Sequence, residues 1–509
     1  MNSAPFSSRI FFRRMVLCCL TAVFFMSCKN RSEQSTAHRP NIIFVLVDDL
    51  GRQDVGFMGS KLYQTPHIDR LAAEGMVFTQ AYAACAVCSP TRASIMTGKY
   101  PARLGITDWI RGQASGVKIP PDRKNPTGYD TLPGYSLLTP RNPFWMESEE
   151  ITLAEALKSV GYTTCHVGKW HLGPEGWQPE NQGFDFNYGG TDLGQPPVYF
   201  DPYEAGGLSI ENLSGKKEGQ YLSEREGDEA TRFIRENHTK GPFFLNLWHY
   251  AVHTPLEAKK DVSEKYKTRQ VEDPFLPDYR PEDVYTEHFR TKMPLDSQRN
   301  PVYAAMIESV DDVMGRLLHT LDSLQIRDNT MIIFFSDNGG HIVSTSNHPL
   351  RLGKGYPYEG GIREPMIINW PEKIKAGSRN HTPVISNDFF PTICNIAGAT
   401  VTQNDGIDLT PIFTETSTLP RENLFWHFPH YWWGDQVKPY SIVRAGEWKL
   451  IKWYEGPEYE LYNLHQDLSE TQNLAHDLPE KVTELDHLLE NWLNEVGAKK
   501  PVPTQNHSL

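Results

Sequence analysis

The sequence predicts an α/β protein in which a large, mixed but mostly parallel sheet lies between layers of helices, followed by a smaller C-terminal α+β domain. Continuous apolar runs at Asn41–Val47, Pro242–Trp248 and Met331–Phe335 are typical of strands buried on both faces of a parallel sheet. Apolar residues recur three and four apart in Ile151–Val160 and Val302–Leu321, as they do in helices. Strands and helices that alternate in this way indicate an α/β domain.

An export signal precedes the first strand. Residues 1–28 contain three arginines, no acidic residue and an apolar run, Met15–Met26, that is shorter than the roughly 20 residues needed to span a bilayer. Cys28 resembles a lipobox cysteine, and the alternative is a plain cleaved signal. Residues 29–38 are polar and suit a tether. We therefore expect an exported protein of a Gram-negative bacterium, periplasmic or tethered to the outer membrane, whose membrane contact is through a lipid anchor alone.

The overall composition narrows the function classes. The chain has 509 residues and a formal net charge of −13, so it is long enough for more than one core and too acidic to favour nucleic-acid binding. Four cysteines follow the export segment, and their number and spacing indicate no disulfide framework. An acidic protein can still bind an anionic substrate where cations gather in one pocket.

The pattern changes after about residue 415. Tyr440–Val443, Trp448–Trp453 and Tyr459–Leu464 are typical of short strands joined by turns, and Pro479–Val496 has the spacing of a helix. We predict a small antiparallel sheet with one helix. The chain is accordingly divided into a large domain at residues 39–414 and a C-terminal subdomain at residues 415–509.

Polar residues follow the predicted strands of the large domain. Asp48 and Asp49 come directly after the first strand, and Asp337 and Asn338 follow a later one. Open α/β sheets place ligands beyond the carboxyl ends of their strands. Three carboxylates and an amide oxygen form an all-oxygen set that suits Ca²⁺ or Mg²⁺ better than zinc.

Basic residues are the second group of candidates. Lys169 and His171 are two apart in Gly-Lys-Trp-His-Leu-Gly and project to the same side of an extended segment. His253 lies in Val-His-Thr-Pro, and Lys354 lies in a glycine-rich stretch that allows close approach of the backbone to a ligand. Residues Cys88–Arg92 read Cys-Ser-Pro-Thr-Arg.

Taken in order, these motifs resemble one family. From Arg39 to about Asn473 the chain is similar to the type I, formylglycine-dependent sulfatases of the alkaline phosphatase superfamily. The fold expected is therefore alkaline phosphatase-like, with residues 39–414 as the catalytic domain. The motifs that carry the resemblance are Pro40–Ile43, Asp48–Asp49, Cys88–Arg92, Gly168–Gly173, His253–Pro255, Ser336–Gly340 and Tyr358–Arg363.

The resemblance implies a nucleophile and a metal. A maturation enzyme would oxidise Cys88 to formylglycine (3-oxoalanine), an aldehyde whose hydrate attacks the sulfur and is later freed by collapse of the sulfated diol. One Ca²⁺ would be bound by that residue together with Asp48, Asp49, Asp337 and Asn338.

It also implies roles for five basic residues. Arg92 and Lys169 would hold the formylglycine and its charge, and His171 would take a proton from the sulfated diol so that sulfate is expelled. His253 and Lys354 would bind the sulfate and assist the leaving oxygen, with His253 preferred as the general acid.

The substrate expected is a sulfated carbohydrate of the galactose or galactosamine type. Two long segments without periodicity, Arg111–Met146 and Glu257–Arg299, are interpreted as loops around the site. In the aromatic run Phe425–Trp433, His427 and His430 are the candidate substrate contacts; the alternative is packing between domains. Other functions left open are a general arylsulfatase, a formylglycine-dependent phosphonate or phosphodiester hydrolase, and a sugar-binding protein whose cysteine is never matured.

Overall fold

The computed structural model describes Met1 and residues 39–112, 115–213, 217–269, 298–414, 419–432 and 437–504. The chain divides into two units, Met1–Arg39 and Pro40–Leu509, and every element given below belongs to the second. The export signal, Cys28 and the tether lie outside the described residues, so export and lipidation stay predictions. Within the ranges described, no helix combines the length and apolar character that crossing a membrane requires.

The strands are, in chain order, β1 (Asn41–Val47), β2 (Met76–Tyr82), β3 (Tyr129–Asp130), β4 (Leu137–Pro140), β5 (Thr163–Gly168), β6 (Phe186–Tyr188), β7 (Glu204–Ala205), β8 (Leu208–Ser209), β9 (Phe243–Trp248), β10 (Thr330–Ser336), β11 (Arg363–Asn369), β12 (Ser378–Asn380), β13 (Val384–Ile385), β14 (Asn423–Phe428), β15 (Tyr440–Ala445), β16 (Trp448–Trp453), β17 (Tyr459–Asn463) and β18 (Val502–Pro503).

The α-helices are α1 (Pro66–Ala73), α2 (Cys88–Thr97), α3 (Pro101–Leu104), α4 (Leu153–Lys158), α5 (Leu222–Asn237), α6 (Lys260–Lys267), α7 (Pro301–Ser323), α8 (Glu359–Ile362), α9 (Phe389–Ala397) and α10 (Pro479–Glu495).

A nine-stranded sheet forms the centre of the second unit. Its order is β12-β2-β11-β10-β1-β9-β5-β6, with β13 also paired to β2. Strand β11 is antiparallel to both of its neighbours, and the other pairings are parallel. The structure therefore confirms the mixed, mostly parallel sheet, and the three apolar runs are its central strands β1, β9 and β10.

Helices cover both faces of this sheet. Along β1, Ile43, Val45 and Val47 pack in one core with residues of α1, α5 and α7, whereas Ile42 and Phe44 pack in another with α2, α4 and α9. Successive side chains of a strand point to opposite faces, so a strand between two helical layers is apolar at every position. This explains why β1 lacks the polar alternation of a half-exposed strand.

A four-stranded antiparallel sheet, β14-β15-β16-β17, lies in the C-terminal part of the chain. Helix α10 packs on it, and Leu450, Leu485 and Leu489 belong to their shared core. The predicted antiparallel sheet and helix are thus confirmed. The aromatic run Phe425–Trp433 was not predicted to be a strand, but its first residues belong to β14. Strand β18 pairs with β4, which lies in the segment Arg111–Met146 that was predicted to be a loop.

A buried ion-pair network connects the two sheets. Lys449 of β16 lies 3.1 Å from Glu359 of α8 and 2.8 Å from Glu470, and the Glu359 carboxylate also accepts from Tyr82 and Arg363. Burial and then the neighbouring Glu359 raise the pKa of Glu470 to about 7, although Lys449 opposes this shift. Lys449 therefore balances two carboxylates that have no access to water.

Replacement of Lys449 by methionine should lower the free energy of unfolding by about 3–5 kcal/mol, because it leaves buried Glu470 without its paired lysine and leaves Glu359 with Arg363 as its remaining ion-pair partner. Urea denaturation of the purified protein measures this loss. Lys373→Met is the matched control, since that side chain is 54% exposed and should change stability by less than about 0.5 kcal/mol. Equal losses in the two variants would contradict the role given to Lys449.

Candidate active site

Four neighbouring parallel strands end at one edge of the large sheet. The register pairs Val47 of β1 with Ser336 of β10, and Gly168 of β5 with Trp248 of β9. The residues that follow these strands are brought to one place for that reason, as expected for a ligand site of an open α/β sheet. The segments concerned are 48–49, 169–171, 249–253 and 337–338.

The four predicted oxygen ligands meet at this edge. The backbone N–H of Asp49 donates to Oδ1 of Asp337 over 3.3 Å, and Nδ2 of Asn338 donates to Oδ1 of Asp49 over 2.8 Å. Oδ1 of Asn338 is buried and has no hydrogen-bond partner among the described residues. An unsatisfied buried acceptor is costly, and a cation would satisfy it. Together with Asp48, these residues fit a hard divalent cation.

Cys88 is the first residue of α2 and faces the same cluster. Its Sγ lies 3.5 Å from Oδ1 of Asp48 and 3.5 Å from Nζ of Lys354. Burial raises the pKa of the thiol to about 12, so at neutral pH the unmodified cysteine holds its proton and is a poor nucleophile. Ligand atoms that lie within 4.8 Å of one another are supplied by Asp48, Asp49, Cys88 and His253.

Arg92 and Lys169 hold the buried carboxylates from the side of the sheet core. Nε of Arg92 donates to Asp337 over 2.8 Å, and its NH1 donates to the carbonyl oxygen of Lys169 over 2.7 Å. Nζ of Lys169 donates to Oδ2 of Asp48 over 2.5 Å. The guanidinium also lies 5.3 Å from the ring centroid of Trp248. These contacts fix both cations before any substrate binds.

Lys354 completes the charge balance. Its Nζ donates to Asp49 over 2.8 Å, so three lysine or arginine side chains face three aspartates. Burial alone would raise the pKa of Asp49, but Lys354 and His253 hold it well below its usual range. Burial, followed by repulsion from Asp337, raises the pKa of Asp48 to about 7.

His171 has the geometry of a proton acceptor. Its Nε2 lies 2.8 Å from the carbonyl oxygen of Ile110, which can only accept, so Nε2 carries the proton and Nδ1 carries a lone pair. Nδ1 is buried and has no hydrogen-bond partner in the described part of the chain. Burial, and then the charge of Lys169, holds the pKa of His171 well below its usual value. The ring is therefore neutral and can take a proton.

His253 lies on the other side of the cluster. Its Nδ1 is 2.8 Å from the carbonyl oxygen of Thr254 and therefore donates to it, which directs Nε2 to within 3.6 Å of Oδ2 of Asp49. Burial and then Lys354 lower the pKa of His253 well below its usual value. An additional negative charge in the cluster would favour the protonated ring.

A cavity of about 680 Å³ opens above these residues. Asp49, Cys88, His171, His253 and Lys354 line it. All the core residues predicted from the sequence are therefore gathered at one site, either in the wall of the cavity or directly behind it. A volume of this size is within the range of small-ligand sites.

The sulfatase family model matches residues 40–399, which is more than half of the chain. The chain belongs to the sulfatase family. It is accordingly a sulfuric ester hydrolase. A second model, described as N-sulphoglucosamine sulphohydrolase, C-terminal, matches residues 351–499 of this sulfatase.

Curated relatives and solved structures agree with this assignment. A sulfatase of Formosa agariphila is 29% identical, with 94% of this chain and 93% of the relative covered. The N-acetylgalactosamine-6-sulfatase of Mus musculus is 30% identical, with 86% and 76% covered. The crystal structure of Ps i-CgsB in complex with k-i-k-neocarrahexaose superposes with a TM-score of 0.69 at 29% identity, with 90% and 93% covered.

The two predicted substrate histidines of the sulfatase have protein partners. The ring nitrogens of His427 lie 2.7 Å from Ser441 Oγ and 3.1 Å from the carbonyl oxygen of Lys499. Nε2 of His430 lies 2.8 Å from Thr107 Oγ1, and both histidines are buried. These contacts favour the alternative of packing, and the substrate role stays a prediction without geometric support.

Other cavity residues were missed by the sequence reasoning. Trp109, Arg111, His341 and Trp432 line the cavity of the sulfatase. A signal existed for His341, which follows the strand-end motif by one residue, and for Trp432, which belongs to the aromatic run. Trp109 lies two residues before the first predicted loop and Arg111 is the first residue of that loop, where no periodicity indicates which side chains face inward.

Gly194→Ala should reduce turnover with little change in global stability. A Cβ at position 194 would lie 2.7 Å from Cε1 and 2.8 Å from Nε2 of His171, so the ring must move from its hydrogen bond with Ile110. We expect kcat for an activated sulfate ester to fall about tenfold or more, since misplaced catalytic groups lose most of their effect.

Gly398→Ala is the control for that variant. Its φ of 68° strains any other residue, but a Cβ there would meet nothing within 4 Å. It should lower the melting temperature without a comparable loss of kcat. Equal kcat in Gly194→Ala and the wild type would refute the steric argument.

Proposed function

We propose that this sulfatase removes sulfate from a sulfated carbohydrate, of the galactose or galactosamine type, with a formylglycine made from Cys88 and one bound Ca²⁺. The observation that carries the proposal is the position of Cys88. Its sulfur lies between a carboxylate and an ammonium group at the base of a cavity that also contains two neutral histidines. A protonated thiol in that place is poorly suited to attack, whereas an aldehyde hydrate would supply a nucleophilic hydroxyl.

The carbohydrate class is supported by the relatives. One relative is named for N-acetylgalactosamine 6-sulfate, and one similar structure holds a neocarrahexaose. The cavity wall also contains Trp109, Tyr431 and Trp432, whose faces are suited to packing against sugar rings. A small ester alone would not contact much of the aromatic surface of so large a cavity.

The metal ligands, Lys354 and the two histidines each have a role in this reaction. When bound, Ca²⁺ would be held by the oxygens of Asp48, Asp49, Asp337 and Asn338 and would supply Lewis-acid polarisation of a sulfate oxygen. Lys354 lies at the cavity surface and can pair with the sulfate as it gains charge. His171 takes a proton at Nδ1 from the remaining hydroxyl of the sulfated formylglycine hydrate, so that sulfate leaves. His253 donates a proton from Nε2 to the leaving alcohol oxygen once an anionic substrate favours its charged form.

Addition of Ca²⁺ to metal-free protein should raise the melting temperature, because a ligand that binds only the folded state stabilises it. Asn338→Ala should weaken Ca²⁺ binding about tenfold or more, since it removes the unsatisfied oxygen from the set. Asn369→Ala is the matched control: it also has a buried Oδ1 without a partner, but it pairs with Ile332 near the opposite end of the strands. Isothermal titration of both variants measures the difference, and equal affinities would exclude Asn338 as a ligand.

Release of inorganic sulfate from a panel of sulfated sugars tests the function. Wild-type protein co-produced with a formylglycine-generating enzyme should release sulfate from galactose- or galactosamine-type substrates, and Cys88→Ala should release none while it keeps the wild-type melting temperature. Cys88→Ser should also fail in a host whose maturation enzyme oxidises only cysteine.

The panel also separates the alternatives. Release from aryl sulfates alone would indicate a general arylsulfatase, and faster cleavage of phosphate diesters or phosphonates would indicate the other hydrolase. Sulfate release by Cys88→Ala would refute the proposed nucleophile.

A further inference from the structure

The segment Asp108–Arg111 is attached to the catalytic residues by its backbone. The N–H of Ile110 donates to Oγ of Ser89 over 2.9 Å, the residue next to Cys88. The carbonyl oxygen of Ile110 accepts from His171 over 2.8 Å. The side chains on either side of Ile110 are therefore held in a fixed position relative to the reacting groups.

Those two side chains form part of the cavity wall. Trp109 lies beside His171, with ring centroids 6.4 Å apart, and the guanidinium of Arg111 lies 5.0 Å from the centroid of the Trp109 ring. The order His171, Trp109, Arg111 thus leads outward from the base of the cavity. This part of the wall is positioned to contact a sugar whose sulfate ester lies at Cys88.

Asp108 orients both Trp109 and Arg111 through hydrogen bonds. Its Oδ1 accepts from the backbone N–H of Trp109 over 2.8 Å, and its Oδ2 lies 3.3 Å from NH2 of Arg111. Asp108 is buried, whereas 49% of the Arg111 side chain is exposed. A guanidinium has five N–H donors, so one contact with Asp108 orients it and leaves it able to bind an anion in a bidentate manner.

Arg111 also lies between two cavities. It lines the main cavity and a second one of about 130 Å³ whose wall includes Arg141 and Asn142. The lysine in the wall of the main cavity, Lys354, is paired with Asp49 at the reacting centre. Arg111 supplies positive charge farther out, where the next substituent or sugar of a glycan would lie.

From this arrangement we propose that Arg111 determines specificity by binding a second anionic substituent of the substrate, a sulfate or carboxylate carried on the same or the adjoining sugar. The inference rests on the proposed function and names its substrate class as glycans with two or more negative charges. A protein of net charge −13 repels such a polyanion at long range, so a positively charged group placed at the cavity offsets that repulsion where it matters.

A pair of matched oligosaccharides tests the proposal. They share one sugar sequence and one target sulfate ester, and one of them carries an additional sulfate on the adjoining sugar. The wild type should prefer the doubly sulfated form. In Arg111→Gln this preference in kcat/KM should fall about ten- to hundredfold, mainly through KM, and Arg111→Lys should keep part of it. The preference should also shrink as salt is added, because the contact is exposed.

Arg70→Gln is the matched control, because that arginine has a similarly exposed side chain, 46%, and is paired with Glu74 and Asp322 instead of lining the cavity. Its preference should equal that of the wild type. If Arg111→Gln lost the same factor with both oligosaccharides, the inference would be wrong while the proposed function stood.

Binding provides a readout that needs no turnover. In the Cys88→Ala background, the doubly sulfated oligosaccharide should bind more tightly than the singly sulfated one, and Arg111→Gln should remove that difference. A wild type with formylglycine at residue 88 that binds the oligosaccharides in this way but hydrolyses neither would refute the proposed reaction on these sugars and leave the role of Arg111 intact. Equal binding of both oligosaccharides with Arg111 present would overturn the inference.

Discussion

Mutual neutralisation of buried charges is the constraint on which this site depends. A buried ionised aspartate without a partner costs several kcal/mol. In this site three buried aspartates lie in one cluster at a sheet edge. Each faces a cation supplied by a different segment, so the cluster exists only when the strands and α2 are assembled. The pairs are Asp337 with Arg92, Asp48 with Lys169 and Asp49 with Lys354. A divalent cation added to this balanced set makes it positive, which favours an anionic ester.

The same burial accounts for the chemistry of Cys88. Burial keeps its thiol protonated. An unmodified cysteine is therefore a poor nucleophile at this position, and a neutral nucleophile at residue 88 would suit the site better. His171 is neutral for the same reason, with its lone pair directed by Ile110. Burial of the reacting groups away from water also strengthens the effect of every fixed charge that faces the ester.

Much of this arrangement could be predicted from the sequence, because strands buried on both faces are apolar at every position. Polar residues directly after β1 and β10 were therefore placed correctly at a common edge. The protein partners of the histidines of β14 and the loop after it could not be predicted, since a ring that meets Ser441 or Thr107 has the same sequence pattern as one that meets a sugar. The position of Arg111 in the cavity wall is likewise set by contacts of the neighbouring Ile110, which no local sequence pattern indicates.

The account depends most directly on the state of residue 88 in active protein. Peptide mass spectrometry of preparations matured to different extents, each assayed for sulfate release, measures both quantities in the same samples. The account predicts that activity is proportional to the fraction of chains with an aldehyde at position 88 and falls to zero when that fraction does. Full sulfate release from protein whose Cys88 is entirely thiol would contradict it.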